Sequence, residues 1–568
     1  MIGLTKIYFG QRFSTRWLVF IIWALLCFLQ PVRAGTLDQE LKNALQRHSR
    51  EEAFSVLIRF TETADLSPII AASKADRFKK VITTLKTHAQ RSQKNILFTL
   101  AAPSLKIHTK KINPLWICNG IALTAAPDVI RKLAQLPGAF TITMDKTVEL
   151  PQTSGASSES AEWNLDSIKV PALWDLGYRG QGVVVATMDS GVDVEHPDIA
   201  SKYRGGANSW YDPHGEHATP FDATGHGTQV MGVIVGGDAG GTSIGVAPEA
   251  KWIAVKIFND AGKASYSAIH AGLQWLLDPD GNPDTDDAPD IVNNSWGLAN
   301  TGTCEDEFQG DITALRAAGI LPVFAAGNSG PGEDTSISPA NNLGALSVGA
   351  IDASNAAEFS GSRGPSACGN DLYPMVSAPG VQIYTADLSF GGNLYFTTVS
   401  GTSFAAPHVA GAAALLLSAF SPIDINTLEE TLSTTAVDLG NVGPDNTFGN
   451  GRVDVKAAYE VIESQGKNHV PIITSNPVTE AKPWTLYQYK VAAIDPDGNM
   501  LSYSLATPLR GMFINRKTGC IWWIPGWKQL GEREVEVQVT DSQGAIARQR
   551  FTITVGRWFA RGSPELKN

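Results

Sequence analysis

An aspartate, a histidine and a serine, each in its own glycine-containing turn, are the side chains of this 568-residue chain best placed for covalent chemistry. They are Asp189 in VVVATMDSGVD, His226 in GHGTQV and Ser403 in GTSFAAPHVAG. A serine hydroxyl is a poor nucleophile at neutral pH. It needs an imidazole to take its proton, and the imidazole needs a buried carboxylate to fix its tautomer and stabilise its cation. Ser403, His226 and Asp189 fit those three roles, with attack on an acyl carbon as the chemistry. A fourth segment, Gly327-Asn328-Ser329-Gly330, offers the Asn328 amide as a donor to the resulting oxyanion, beside the backbone N–H of Ser403.

The flanking residues must position these atoms. The apolar run 183–188 predicts a buried parallel strand, which delivers Asp189 to its carboxyl end, where open α/β sheets place their sites. His226 lies between Gly225 and Gly227, ahead of a helix start over 228–236. Ser403 opens the Ala- and Leu-rich segment 404–419, which predicts a helix whose positive end sits at the serine. The run 320–326 reads as a strand that carries Asn328 on its exit turn. Any one such residue alone would read as a plain turn residue. His196, His214, His217, His270 and His408 receive no catalytic role, and His408 in APHVAG is expected to pack within its helix.

These four segments resemble those of the subtilisin-type serine peptidases, over roughly residues 163–463, in the chain order Asp, His, Ser. DDAPDIVNNSWG, RAAGILPVFAAGNSGP and FSGSRGPS look closest to bacillopeptidase F-like members. The resemblance implies an α/β catalytic domain with a mostly parallel sheet flanked by helices. It also implies hydrolysis of peptide bonds through an acyl-enzyme, with no cofactor required for the chemistry. Ser295, Trp296 and Gly297, with Phe324, Ala325, Ala326 and Gly327, are implied to flank the pocket for the residue before the scissile bond. The loop 259–265, with Gly262, is implied to pair with an extended substrate strand. Trp296 stands where a smaller apolar residue is expected, so it either reshapes the pocket or packs in the core.

The N-terminus reads as an export signal over residues 1–34. Lys6, Arg12 and Arg16 precede the apolar run 17–29, and Val32-Arg33-Ala34 has the small residues of a cleavage site. An uncleaved anchor or a lipoprotein signal at Cys27 are the alternatives; no stable membrane span is expected in the mature chain. Residues 35–152 resemble the inhibitory propeptide of the same family. A strand at 54–60, a long helix at 72–97, a strand at 115–124, a helix at 128–136 and a strand at 139–150 suggest a β-α-β-β-α-β unit. Its tail would fill the active site until the polar stretch 153–162 is cut.

With the leader and propeptide removed, Cys304, Cys368 and Cys520 remain. Cys304 and Cys368 are expected to form a disulfide, the alternative being two free thiols, and Cys520 to be buried beside Trp522. Asp278, Asp280, Asn282 and Asp284 alternate in DPDGNPD, which reads either as a structural calcium loop or as a solvated acidic loop. Asp198 in HPDI matches a family calcium ligand, but the adjoining loop 236–248 looks shortened.

After a linker at 464–469, residues 470–556 alternate apolar and polar positions between turns such as DPDGN and DSQG, which predicts an all-β sandwich. The segments AIDPDGNMLSYSL, GMFINRKTGCIWWIP and EVEVQVTDSQG resemble cadherin-like, Ig-like modules. Of Trp522 and Trp523, one should face the core and the other solvent. The module reads as an attachment site for a surface protein or glycan, or as a stabilising spacer; residues 557–568 form a tail.

Average apolar content and a net charge of -11 argue against a nucleic-acid partner. The chain as a whole reads as a secreted or extracellular, self-processing serine endopeptidase. Its partners would be protein or peptide substrates and its own propeptide, with cell-surface association through the last module. A surface binding protein that has repurposed a subtilisin scaffold is the competing class. Intact Asp189, His226, Asn328 and Ser403 favour the enzyme.

Overall fold

The computed structural model describes residues 34–47, 52–69, 74–151, 154–155, 162–391 and 395–556. Most of the leader, most of the 153–162 stretch and the 557–568 tail lie outside them. The chain divides into two compact units, one of residues 1–63, 90–114 and 119–144, the other of 64–89, 115–118 and 145–568.

The first unit is built on a five-stranded sheet in the order Thr36–Leu37, Phe140–Met144, Phe54–Phe60, Gly120–Ala125, Thr109–Leu115. Alternate residues of its strands and the apolar stripe of the helix Pro127–Ala134 form one core around Val56, Ile58, Ile121, Ile130 and Ile142. Two predicted strands are divided. The run 115–124 breaks at Asn119, which adopts φ 49°, a left-handed conformation that asparagine tolerates and that turns the chain. The run 139–150 ends at Met144 and resumes as Thr147–Glu149, which pairs with a different sheet.

The second unit is centred on a seven-stranded parallel sheet. Its order is Val376–Pro379, Leu346–Ile351, Leu321–Ala325, Ile291–Asn294, Val184–Asp189, Lys251–Lys256, Trp210–Tyr211. These strands are apolar almost throughout because helices cover both faces. From Val184–Asp189 the chain builds Trp210–Tyr211 and then Lys251–Lys256 on one side, before it crosses to Ile291–Asn294 on the other. That reversal opens a crevice at the carboxyl ends of the central strands, where Asp189 sits. The helix Thr402–Ala419 is apolar on all sides because it runs through the interior. It is the helix, among the described residues, long and apolar enough to cross a membrane, and its 94% burial accounts for that composition.

The C-terminal region is an all-β sandwich. One sheet orders Glu480–Ala481, Ile546–Val555, Gly531–Thr540, Ser502–Leu505; the other orders Tyr487–Lys490, Cys520–Trp523, Phe513–Ile514. Val535, Val537, Ile553, Tyr489, Ile521 and Trp523 fill the space between them. Trp523 faces this core and Trp522 faces outward. Cys520, two residues before Trp522 on the same face, is half-exposed rather than buried, because strand side chains alternate. The expected linker is docked: Phe420 bridges to His469, and the Val470 N–H donates to the Ala419 carbonyl at 2.9 Å. His469 stacks among Tyr178, Phe420 and Tyr459, and its Nδ1 lies 2.8 Å from the Asp497 carboxylate.

Candidate active site

Asp189, buried at the end of its strand, lies 2.7 Å through Oδ1 from the Nδ1 of His226, with the Ser190 N–H donating to the same oxygen. His226 begins the helix His226–Val235, and the φ of +93° at Gly225 sets the entry. Gly227 has no room for a side chain, since a Cβ there would stand 2.1 Å from the Gly191 carbonyl oxygen. That close approach brings the imidazole onto Asp189.

Asp222, which the sequence reading did not single out, organises the turn. Its Oδ1 accepts from the Thr224 and Gly225 N–H groups, and its Oδ2 accepts from the Thr228 N–H and hydroxyl. The cue in the sequence is its place four residues before the histidine in DATGH. Burial pushes the His226 pKa down. The charge and hydrogen bond of Asp189, joined by the charge of Asp222, more than reverse this and hold it above 6.5.

Ser403 sits in the first turn of Thr402–Ala419, after Gly401 at φ +138°. Its Oγ donates to the Ser295 carbonyl at 3.3 Å, while the Nε2 of His226 is buried with no partner. The His226 ring centroid is 5.8 Å from that of Phe404, the neighbour of Ser403. The Phe404 contact thus places the His226 ring beside the serine turn, with Nε2 unpartnered and the Ser403 hydroxyl resting on the Ser295 carbonyl. Ser295 also donates its own hydroxyl to the Ser403 carbonyl at 2.7 Å, tying the two loops together.

The Asn328 amide is oriented by Thr402, a second residue outside the sequence reading although it adjoins Ser403. The Thr402 N–H and hydroxyl donate to Asn328 Oδ1, and that hydroxyl accepts from the Gly327 N–H. With Oδ1 so committed, the Asn328 NH₂ keeps its donors for another partner.

The remaining expected positions divide. Gly262, at φ +70°, accepts from the Leu150 N–H at 2.9 Å, and Lys263–Ser265 pairs antiparallel with Thr147–Glu149. On the other side of the serine turn, Ser154–Gly155 pairs with Phe396–Ser400. Gly297 is closed against Ile337, and Ala325 and Ala326 are buried beside Gly327. The Trp296 side chain is 1% exposed and packs edge-on against Phe308 and Phe324, so it belongs to the core rather than reshaping an open pocket. His408 is neutral, its pKa pushed down to about 4 by burial; it lies 2.7 Å from the Phe404 carbonyl and 2.8 Å from Asn164 Nδ2.

Of the two readings of the acidic loop 278–284, the side-chain partners favour the solvated one. Asp278 accepts from Lys86 and Asp284 from Lys79, while Asp280 accepts from Thr285 and the Asn282 N–H, so the four donors are parted among separate partners. Asp198 Oδ1 accepts from the Ala239 N–H, and the Lys202 ammonium donates to the Asp198 carbonyl. Neither set fits a calcium cage in this form. Glu216, His217 and Asp260 do converge, but the Lys256 ammonium, 3.1 Å from Asp260, already supplies the cation. Cys304 and Cys368 form a disulfide, closing the loop beside the SWG segment.

A buried Asp–His pair beside a serine-bearing helix start and an oriented asparagine amide, at the switch point of a parallel sheet, is the arrangement of a serine-peptidase type of domain. Residues 180–451 match the subtilase family model, and residues 470–556 match an Ig-domain family. The chain is 34% identical to subtilisin DY of Bacillus licheniformis over 53% of this chain and 100% of that protein. It is 33% identical to subtilisin E of Bacillus subtilis over 60% of this chain and 81% of that protein. With bacillopeptidase F of Bacillus subtilis it shares 35% identity over 76% of this chain, which spans about a third of that longer protein. The chain belongs to the subtilase family.

Proposed function

We propose that the protein is a secreted serine endopeptidase made as a self-processing zymogen. Ser403 attacks the scissile carbonyl, and His226 takes the hydroxyl proton and returns it to the leaving amine. Asp189 holds the imidazole tautomer, and Asn328 with the Ser403 N–H binds the oxyanion. The observation that carries this reading is the 2.7 Å Asp189–His226 pair facing the serine turn whose neighbour Thr402 orients Asn328.

The zymogen part rests on the tail of the pro-segment. Thr147–Glu149 and Leu150 lie along Lys263–Ser265 and Gly262 as an added strand, the way an extended substrate would bind. Export rests on the leader-like residues 1–34 and on the Cys304–Cys368 disulfide, which suits an oxidising compartment. Substrates are proteins or peptides that can enter that cleft extended.

The test is intact mass and casein hydrolysis on purified wild type and Ser403→Ala, both expressed without residues 1–34. Loss of about 120 residues and serine-reagent-sensitive activity in the wild type alone is expected. Normal cutting in Ser403→Ala, or an active wild type with its pro-segment uncut, would overturn self-processing.

A further inference from the structure

The C-terminal sandwich has two outer faces. Arg548 and Arg550 project from the outer face of one sheet, and Arg548 Nη2 lies 3.2 Å from Asp286 of the catalytic domain. The outer face of the other sheet, Tyr487–Lys490, Cys520–Trp523 and Phe513–Ile514, therefore points away from that domain. Strand register sets what it displays. Gln488, Trp522 and Phe513 stand abreast in one row, and Lys490 and Cys520 form the next. Extending the register past Tyr487 and Trp523 puts Leu486 beside Ile524. Trp484 joins this end, its N–H donating to the Pro525 carbonyl at 2.9 Å and its ring reaching Gly526, with Trp527 next in sequence.

These rings are open to solvent: Trp484 is 66% exposed, Phe513 69%, Trp527 57% and Trp522 38%. A contiguous set of exposed aromatics on a soluble module marks an interaction surface. Its charge selects the partner. Residues 499–530 carry Arg510, Arg516, Lys517 and Lys528 and no acidic residue, in a chain of net charge -11. Among the described residues no carboxylate pairs with Lys490, Arg510 or Lys528.

The polar residues within the rows decide between occupants. Gln488 stands beside Trp522 and Lys490 beside Cys520, and pressed into a lipid boundary they would be stranded without partners. A peptide strand would add to a sheet edge rather than lie on its face. Sugar rings stack their C–H faces on indoles, while their hydroxyls and carboxylates bond to amide and ammonium groups. We propose that this face is a binding site for an acidic polysaccharide, which would hold the peptidase on a glycan matrix while its cleft stays free.

The test uses the full chain without residues 1–34 carrying Ser403→Ala, passed at physiological salt over polygalacturonate-agarose and dextran-agarose. Retention on the first, release by soluble polygalacturonate and no retention on the second are expected. Trp484→Ala/Trp522→Ala should weaken retention at least tenfold. Lys490→Glu, at an exposed position that the core does not use, should do the same without altering the melting temperature. Retention unchanged in the double tryptophan variant would mean plain ion exchange and overturn the site. Equal retention on dextran would overturn it too, as would binding only to phosphatidylglycerol vesicles.

Discussion

Thr402 grips Asn328 from two directions, its N–H at 3.0 Å and its hydroxyl at 2.9 Å from the same Oδ1. In the proposed mechanism the amide NH₂, fixed in this way, is the oxyanion donor and needs no reorganisation as charge develops. Asn328→Leu is expected to lower kcat by about 10² to 10³ with little change in KM. Thr402→Val keeps the backbone donor and loses the hydroxyl, so kcat should fall by about tenfold, and Thr402→Ser should restore it. A change in KM rather than kcat would assign Thr402 to substrate binding instead.

The pH profile follows from His226. The base works only as neutral imidazole, and its pKa is held above 6.5, so kcat/KM should fall on the acid side with a midpoint above 6.5. Asp222→Asn removes one charge that favours the imidazolium, and the midpoint should move to lower pH. The raised folded pKa stabilises the protonated protein. That contribution is complete below the unfolded value and is lost as pH rises through the folded one, so it declines as activity appears. An unchanged midpoint in Asp222→Asn would show that Asp222 shapes the turn without acting on the imidazole electrostatically.

The Cys304–Cys368 link closes a separation of 64 residues within the catalytic domain. Cys304→Ser/Cys368→Ser, made in the Ser403→Ala background to prevent autolysis, should lose about 2 to 4 kcal/mol, read as a lower urea midpoint at unchanged slope. A midpoint within error of the parent would mean that the loop's own hydrogen bonds suffice.

What the sequence disclosed and what it hid divide along local and tertiary lines. Two strands of the parallel sheet, 183–188 and 320–326, were legible because burial on both faces leaves runs such as VVVATMD almost wholly apolar. The turns that carry His226 and Ser403 were legible because close backbone approach and positive φ demand glycine there. The strand at 139–150 was read too long because its end is set from outside: the Asp145 carboxylate accepts from the Ser267 N–H and hydroxyl, 122 residues away. The acidic loop stayed open between a cation site and a solvated loop because two of its partners, Lys79 and Lys86, lie about two hundred residues earlier. No local pattern announces such pairs.

Lys86 supplies a last test, of how the pro-segment is held. Its ammonium pairs with Oδ2 of Asp278, a carboxylate whose side chain is 1% exposed and whose Oδ1 has no partner, and it lies 5.2 Å from the Trp116 ring centroid. Nearby, Gln274 Oε1 accepts from the Trp116 and Ile117 N–H groups, so the same patch grips both backbone and side chain. Lys86→Met leaves Asp278 buried and uncompensated. The cost should be about 2 kcal/mol, the low end for a broken buried pair because Lys86 is itself partly solvated. In Ser403→Ala protein nicked within 153–162 by an added protease, the pro-segment should then dissociate about 30-fold faster on gel filtration. Asp278→Asn, which removes the buried charge along with the pair, should be milder. Equal dissociation rates in Lys86→Met and its parent would mean that the strand pairing at 147–150 alone holds the segment in place.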